Sequence, residues 1–183
     1  SALEQHRLAQ CCTNDTAAYQ AYLKGRYFWN KRTEPELKIA AEHFEQALEH
    51  DPNFALAWVG LADTYALYST YGIATPREAY PRAEMAALKA LALDGQLAEA
   101  HATLGLLRYE YDWDWAEAER EFEIALKLKP NYAPAHHWYA GLLVSRGRFA
   151  EGLQAIRRAQ ELDPLSLITH AKAAWYCYFA RQY

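Results

Sequence analysis

The sequence predicts an all-α fold, a solenoid of stacked antiparallel helical hairpins, on three observations. Apolar residues recur at helical spacing in paired runs, each pair closes on the same kind of break, and the breaks return at near-constant intervals. The clearest pair lies in 130–164, PNYAPAHHWYAGLLVSRGRFAEGLQAIRRAQELDP. Its first run places Ala135, Tyr139, Ala140 and Leu143 on one helical stripe, and its second places Phe149, Gly152, Ile156 and Ala159 on another. The runs end at Gly147 and at Asp163-Pro164, residue types that stop helices. A single hairpin leaves its apolar face open, so it needs copies stacked on it.

The copies are present. Pro52 closes HFEQALEHDP, Gly95 closes ALKALALDG, Pro130 closes EFEIALKLKP and Pro164 closes IRRAQELDP, at intervals of 43, 35 and 34 residues. Buried faces tolerate no insertion, so the uneven spacing belongs in loops. One solenoid over 1–183 is expected, with hairpins at 16–52, 53–95, 96–130 and 131–164. Residues 1–15 form an N-terminal extension, and 165–183 the first helix of a fifth repeat, so that the chain reads as part of a longer protein.

Each element has its own signal. Residues 1–12 carry Leu3, Leu8 and Cys12 in a short helical pattern, and Thr13-Asn14-Asp15 breaks it with capping residues. The first helix, about 16–31, is rich in aromatics: Tyr19, Tyr22, Tyr27, Phe28 and Trp29. Thr33 with Glu36 forms a capping box for a partner helix reaching about Glu49. The second hairpin opens at Asn53, runs to about Thr70, turns through Tyr71-Gly72-Ile73-Ala74, and restarts at a capping box, Thr75 with Glu78, with Pro76 first in the helix. Pro81, a turn further in, removes a hydrogen bond and is expected to kink that helix. The third hairpin breaks at YDWDW, where Asp112 or Asp114 caps the following helix. In the last stretch Ile168, Ala171, Trp175, Tyr178 and Phe179 fall on one side, and Ala173, Ala174 and Cys177 on another. One side docks on the fourth hairpin; the other is left apolar and predicts a homodimer through this helix.

Trp58, Leu61, Ala62 and Tyr65 in the second hairpin, Leu104, Gly105, Ala118, Phe122, Ala125 and Pro130 in the third, and Gly25, Phe28, Ala40, Phe44, Ala47 and Pro52 in the first stand in phase. On these residues the chain resembles the tetratricopeptide-repeat family over roughly 17–183, departing from it where His101, His136 and His170 replace the usual Trp. The resemblance implies a right-handed superhelix of about four and a half repeats. Its first helices would line a concave groove for a peptide or partner helix. The groove positions carry over to Tyr19, Tyr22, Arg26, Trp29 and Asn30; to Val59, Asp63 and Leu67; to Ala102, Leu106, Tyr109 and Glu110; and to His137, Gly141 and Val144. Tyr27 and Phe28 are expected instead to close the end of the core, and Tyr19, Tyr22, Trp29 and Tyr109 to serve either purpose. Relatives that grip a C-terminal carboxylate use Lys, Arg and Asn where this chain has Tyr22, Arg26, Asp63 and Glu99, so that ligand is not expected. AYLKGRYFWNKRT, YDWDWAEAEREF and AHHWYAGLL resemble repeat regions attached to bacterial serine/threonine kinases, adenylate cyclases and winged-helix regulators, which implies a scaffold or a regulatory segment of such a protein.

Composition narrows the function classes. The 183 residues are 52% hydrophobic with a net charge of −4, which argues against a nucleic-acid partner that would need a basic face. No apolar run long enough to span a membrane occurs, and SALEQHRLAQ lacks the apolar core of a signal peptide. Three cysteines, Cys11, Cys12 and Cys177, lack framework spacing, which suits a reducing, cytoplasmic setting; Cys11 and Cys12 read as helix-face residues before they read as a redox pair. No phosphate loop, HExxH or GxSxG motif is present, so no catalytic residue, cofactor or metal is expected. The neighbours His136 and His137 point about 100° apart on a helix. His101, His136 and His170 recur on hairpins about 10 Å apart, too far for one zinc. Asp112 and Asp114 flank Trp113 as capping residues before they read as paired catalytic carboxylates.

Overall fold

The computed structural model describes residues 13–181. Among them the chain forms nine α-helices, one π-helical turn and no strand. In order these are α1 (Thr16–Lys31), α2 (Glu34–His50), α3 (Ala55–Tyr68), α4 (Pro76–Leu93), α5 (Ala98–Leu107), the π-turn (Arg108–Asp112), α6 (Trp115–Leu128), α7 (Ala133–Ser145), α8 (Phe149–Leu162) and α9 (Leu167–Phe179). The readings made for residues 1–12, including Cys11 and Cys12, lie outside the described residues.

Helix starts follow local chemistry at most positions. Asp15 accepts from the N–H groups of Ala17 and Ala18 at 2.7 and 2.9 Å, satisfying donors that the first turn leaves open. Glu78 accepts from the Thr75 N–H at 3.0 Å and from its hydroxyl at 2.7 Å, with Pro76 in the first turn of α4. Asp114 accepts from the Glu117 N–H at 3.0 Å and so is the cap of α6. The box expected at Thr33 is a correction: its side chain makes no capping bond. Pro35 stands in the first turn of α2, and Glu34 pairs with Lys38 at 2.7 Å. Pro81 is accommodated within one continuous α4, with its ring on an exposed face.

The helices gather into two compact units, divided between Thr103 and Leu104. In the first, α1 pairs with α2 and α3 with α4, while α2 and α1 also pack on α3. Phe44, 0% exposed, is the pivot. A Cβ added at Gly25 would stand 2.6 Å from its ring, and Gly60 approaches the same ring from α3, so only hydrogen fits at either place. That close crossing leaves α3 buried on nearly every side, from Ala55 to Tyr68.

In the second unit Phe122 of α6 takes the corresponding place. A Cβ at Gly105 would meet its ring at 2.9 Å, and Tyr139 packs on it at 5.6 Å between centroids. α7 pairs with α8, and α8 with α9, around Ala140, Leu153, Ile156, Ala159 and Tyr176. The break predicted at YDWDW is a π-turn closed by Trp113, which adopts φ 57° while 72% exposed. Arg108 pairs with Asp112 across that turn.

Candidate functional site

In the first unit the expected groove positions divide sharply. Tyr19 and Asn30 of α1 are exposed, and Arg26 is half-buried. Tyr22 is half-buried too, with its ring against Phe54 at 5.1 Å and Phe44 at 5.9 Å. Trp29 is 2% exposed, and Val59, Asp63 and Leu67 are buried at 2%, 0% and 7%; Ala102 is likewise buried. The expectation that Asp63 stands open to solvent is therefore corrected: the packing of α1, α2 and α4 on α3 closes that face. Tyr27, expected in the core, is 61% exposed, whereas Phe28 stacks on His43 at 5.6 Å.

Asp63 is the electrostatic centre of this unit. Thr103 donates its hydroxyl proton to Asp63 Oδ1 at 2.5 Å, and Arg26 Nη1 reaches Oδ2 at 3.3 Å. Burial pushes the Asp63 carboxyl up to about 6, against the pull of Arg26 and Thr103. Arg26 and Arg32 each lie over the Trp29 ring, 4.4 and 3.6 Å from its centroid, so the indole screens the cations from water. This is a buried ionic brace, with most of its charge occupied by the fold.

In the second unit Leu106 and His137 are buried at 3% and 9%, and Val144 is half-buried. Tyr109 is half-buried, Glu110 exposed, and the Tyr109 hydroxyl shares a 2.7 Å hydrogen bond with Ser145 Oγ. Burial raises the Tyr109 phenol, a shift that the Ser145 bond opposes and Glu110 reinforces. Gly141 lies beside them. A Cβ there would meet Tyr176 Oη at 3.0 Å and Tyr109 Cε1 at 3.5 Å. The missing side chain thus brings two phenols and a serine hydroxyl to one spot. Tyr176 was not singled out from the sequence, because it belongs to α9, read only as a docking helix. The signal was the glycine at 141, where a larger residue would have filled the space that Tyr176 enters.

The histidines have structural duties. Trp58 Nε1 donates to the Pro52 carbonyl at 2.9 Å. His136 Nε2 bonds the Pro130 carbonyl at 2.8 Å, and His170 Nε2 the Pro164 carbonyl at 3.0 Å. Each ring thus ties the start of a first helix to the proline that closes the preceding hairpin, which explains how His replaces Trp in this position. No group of three metal-ligating side chains forms among the described residues. α9 keeps Thr169 and Tyr176 buried, with Ala173 and Cys177 packed beside α8, and leaves Trp175, Tyr178 and Phe179 at 64%, 66% and 50% exposure.

The chain is similar to known proteins at two levels. It is 26% identical over 166 residues to the transcriptional regulator HilA of Salmonella typhimurium, covering 91% of this chain. The chain spans 30% of the length of that relative. Among solved structures, the thermophilic TPR protein TTC0263 of Thermus thermophilus superimposes with a TM-score of 0.68 at 20% identity, covering 97% of this chain and 88% of that one. PilW, a type IV pilus biogenesis factor, gives 0.64 at 19% identity, over 92% and 72%. No family model matches the chain. The fold is that of tetratricopeptide-repeat proteins, an all-α helical repeat.

Proposed function

We propose that this chain is a protein-binding scaffold without catalysis of its own, taking a peptide or a partner helix on the faces of its first helices. The observation that carries this reading is the set of polar and aromatic side chains that those helices and the π-turn leave exposed or half-buried: Tyr19 and Asn30 in the first unit, Tyr109, Glu110 and Ser145 in the second. Amphipathic rings beside hydroxyls suit contact with a peptide, since they give apolar area and hydrogen bonding together. The test is photo-crosslinking from benzoylphenylalanine placed at Asn30 or Ser145, against Leu88, an exposed position on α4. Partners captured from Asn30 and Ser145 but not from Leu88 support the proposal; equal capture from all three overturns it.

The likeness to HilA favours a second reading, in which the module regulates an attached effector. Grafting this chain in place of the matching stretch of HilA and measuring transcription from a reporter tests it. Retained regulation supports the reading, and an inert graft that is folded by circular dichroism refutes it. The cytoplasm is the setting proposed for either role. No helix among the described residues is long and apolar enough to cross a membrane.

A further inference from the structure

Helix α9 buries one side and leaves the other exposed. Thr169 and Tyr176 are buried, and Ala173, Cys177 and Ala180 lie in the cluster shared with α8. On the opposite side Leu167, Ala171, Ala174 and Tyr178 are all exposed, at spacings of four, three and four residues. That spacing is the seam along which one helix packs on another. Trp175 and Phe179 flank the seam and are exposed too. No charged residue falls on it, since Lys172 points to one side.

Helix α7 shows what this face receives. His136 and His170 tie α7 and α9 to their preceding prolines by the same bond, which sets the two helices in register 34 residues apart. Ala174 and Tyr178 therefore match Ala140 and Val144. In α7 those positions are covered by α8. Ala140 packs with Leu153 and Ile156, and a Cβ at Gly152 would meet Val144 Cγ2 at 2.6 Å. The same face of a first helix thus accepts a helix in α7 and stands exposed in α9. An exposed apolar stripe of this size marks a contact surface.

The order of side chains along α9 selects the occupant. Small residues, Ala171 and Ala174, come first, and large ones, Trp175 and Tyr178, follow. A two-fold axis between Ala174 and Trp175 runs two copies antiparallel and lays each ring on an alanine of the other. Large over small then fills the crossing from both sides at once, as a self-complementary contact requires. A parallel pairing would set alanine on alanine and ring on ring.

We propose that this chain forms a two-fold dimer in which α9 packs antiparallel on α9 of a second copy, with Trp175 and Tyr178 of each over the partner's Ala174 and Ala171. The three rings, half to two-thirds exposed, offer on the order of 350 Å² per copy, against about 800 Å² per partner in a standard interface, so the dimer dissociates in the micromolar range.

Sedimentation equilibrium of the whole chain over about 5–200 μM tests the proposal. The apparent mass is expected to rise with concentration from 21.0 kDa toward twice that value. Ala174→Arg, with circular dichroism unchanged, is expected to weaken the dimer about tenfold or more, and Leu88→Arg, on the exposed surface of α4, to leave it as it was. The pairing geometry is read by mild oxidation after Cys11, Cys12 and Cys177 are replaced by serine. Ala174→Cys is expected to cross-link to itself. Ala171→Cys is expected to cross-link to Tyr178→Cys in a mixture but not to itself, because its two copies stand about 10 Å apart along the helices. A monomer throughout the concentration range overturns the proposal and leaves the seam to a helix of other origin. A dimer that Ala174→Arg does not weaken, or self-cross-linking at Ala171 as strong as at Ala174, overturns it as well.

Discussion

The same helix positions serve opposite ends in the two units. In the first, Trp29, Val59, Asp63 and Leu67 are sealed, and the charge among them is consumed by Arg26 and Thr103. In the second, Tyr109 is half-buried and Ser145 exposed, beside the place at Gly141 that the Tyr176 hydroxyl fills. The difference lies in the neighbours rather than in the helices' own pattern. A helix in a repeat fold draws its core from the elements beside it, so a position's role is decided locally.

Substitution should expose that contrast most strongly at Leu67. Leu67→Ala, cut from a buried site, is expected to destabilise by about 2–4 kcal/mol in urea unfolding. A loss under 1 kcal/mol would mean that this face is open.

Acid titration gives the next largest effect. The Asp63 carboxyl sits near 6 in the folded chain, above its ordinary 3.8, so the folded state holds the proton more tightly than the unfolded one. Asp63 therefore contributes stability below about pH 4 that is lost as pH rises through about 6, on the order of 2–3 kcal/mol. The wild-type stability minus that of Asp63→Asn is expected to fall over that window. A flat difference would place Asp63 in water.

Glu119 in the second unit should show the opposite sign. Burial raises it, but hydrogen bonds from Arg148 and Tyr139, with Arg146 beside them, outweigh that and hold its carboxyl below the usual range. Its contribution is present above the ordinary 4.5 and is lost as pH falls through the lowered value. Since Arg146 and Arg148 are about a third exposed, Glu119→Gln is expected to cost only about 0.5–1 kcal/mol at pH 7, read by thermal unfolding, and less at pH 3. An equal cost at both pH values would show that the ion pairs contribute nothing.

Helix ends and hairpin periods were legible in the sequence because they rest on local chemistry. Asp15, Asp114 and Gly147 act through neighbours two to five residues away, and the α1 boundaries match the sequence reading. Which groove positions stay open was not legible. Leu67 and Ser145 stand nine residues after Trp58 and His136, at the same first-helix place, yet one is buried at 7% and the other is exposed and bonded to the Tyr109 hydroxyl. The π-turn was hidden although its contacts are local. YDWDW announces a break, but not that the chain winds Arg108–Asp112 as a π-turn, with Arg108 paired to Asp112.

The smallest expected effect falls on the open side. Trp175→Ala should change stability by no more than about 0.5 kcal/mol, as surface substitutions do. A cost above 2 kcal/mol in urea unfolding would place Trp175 in a core.

Hydroxyl-radical footprinting compares the two faces directly, by following oxidation of Trp29 and Trp175 in one sample by mass spectrometry. With Trp29 at 2% exposure and Trp175 at 64%, Trp175 is expected to oxidise at least tenfold faster. Equal rates would contradict the division between the sealed face of α1 at Trp29 and the open face of α9 at Trp175.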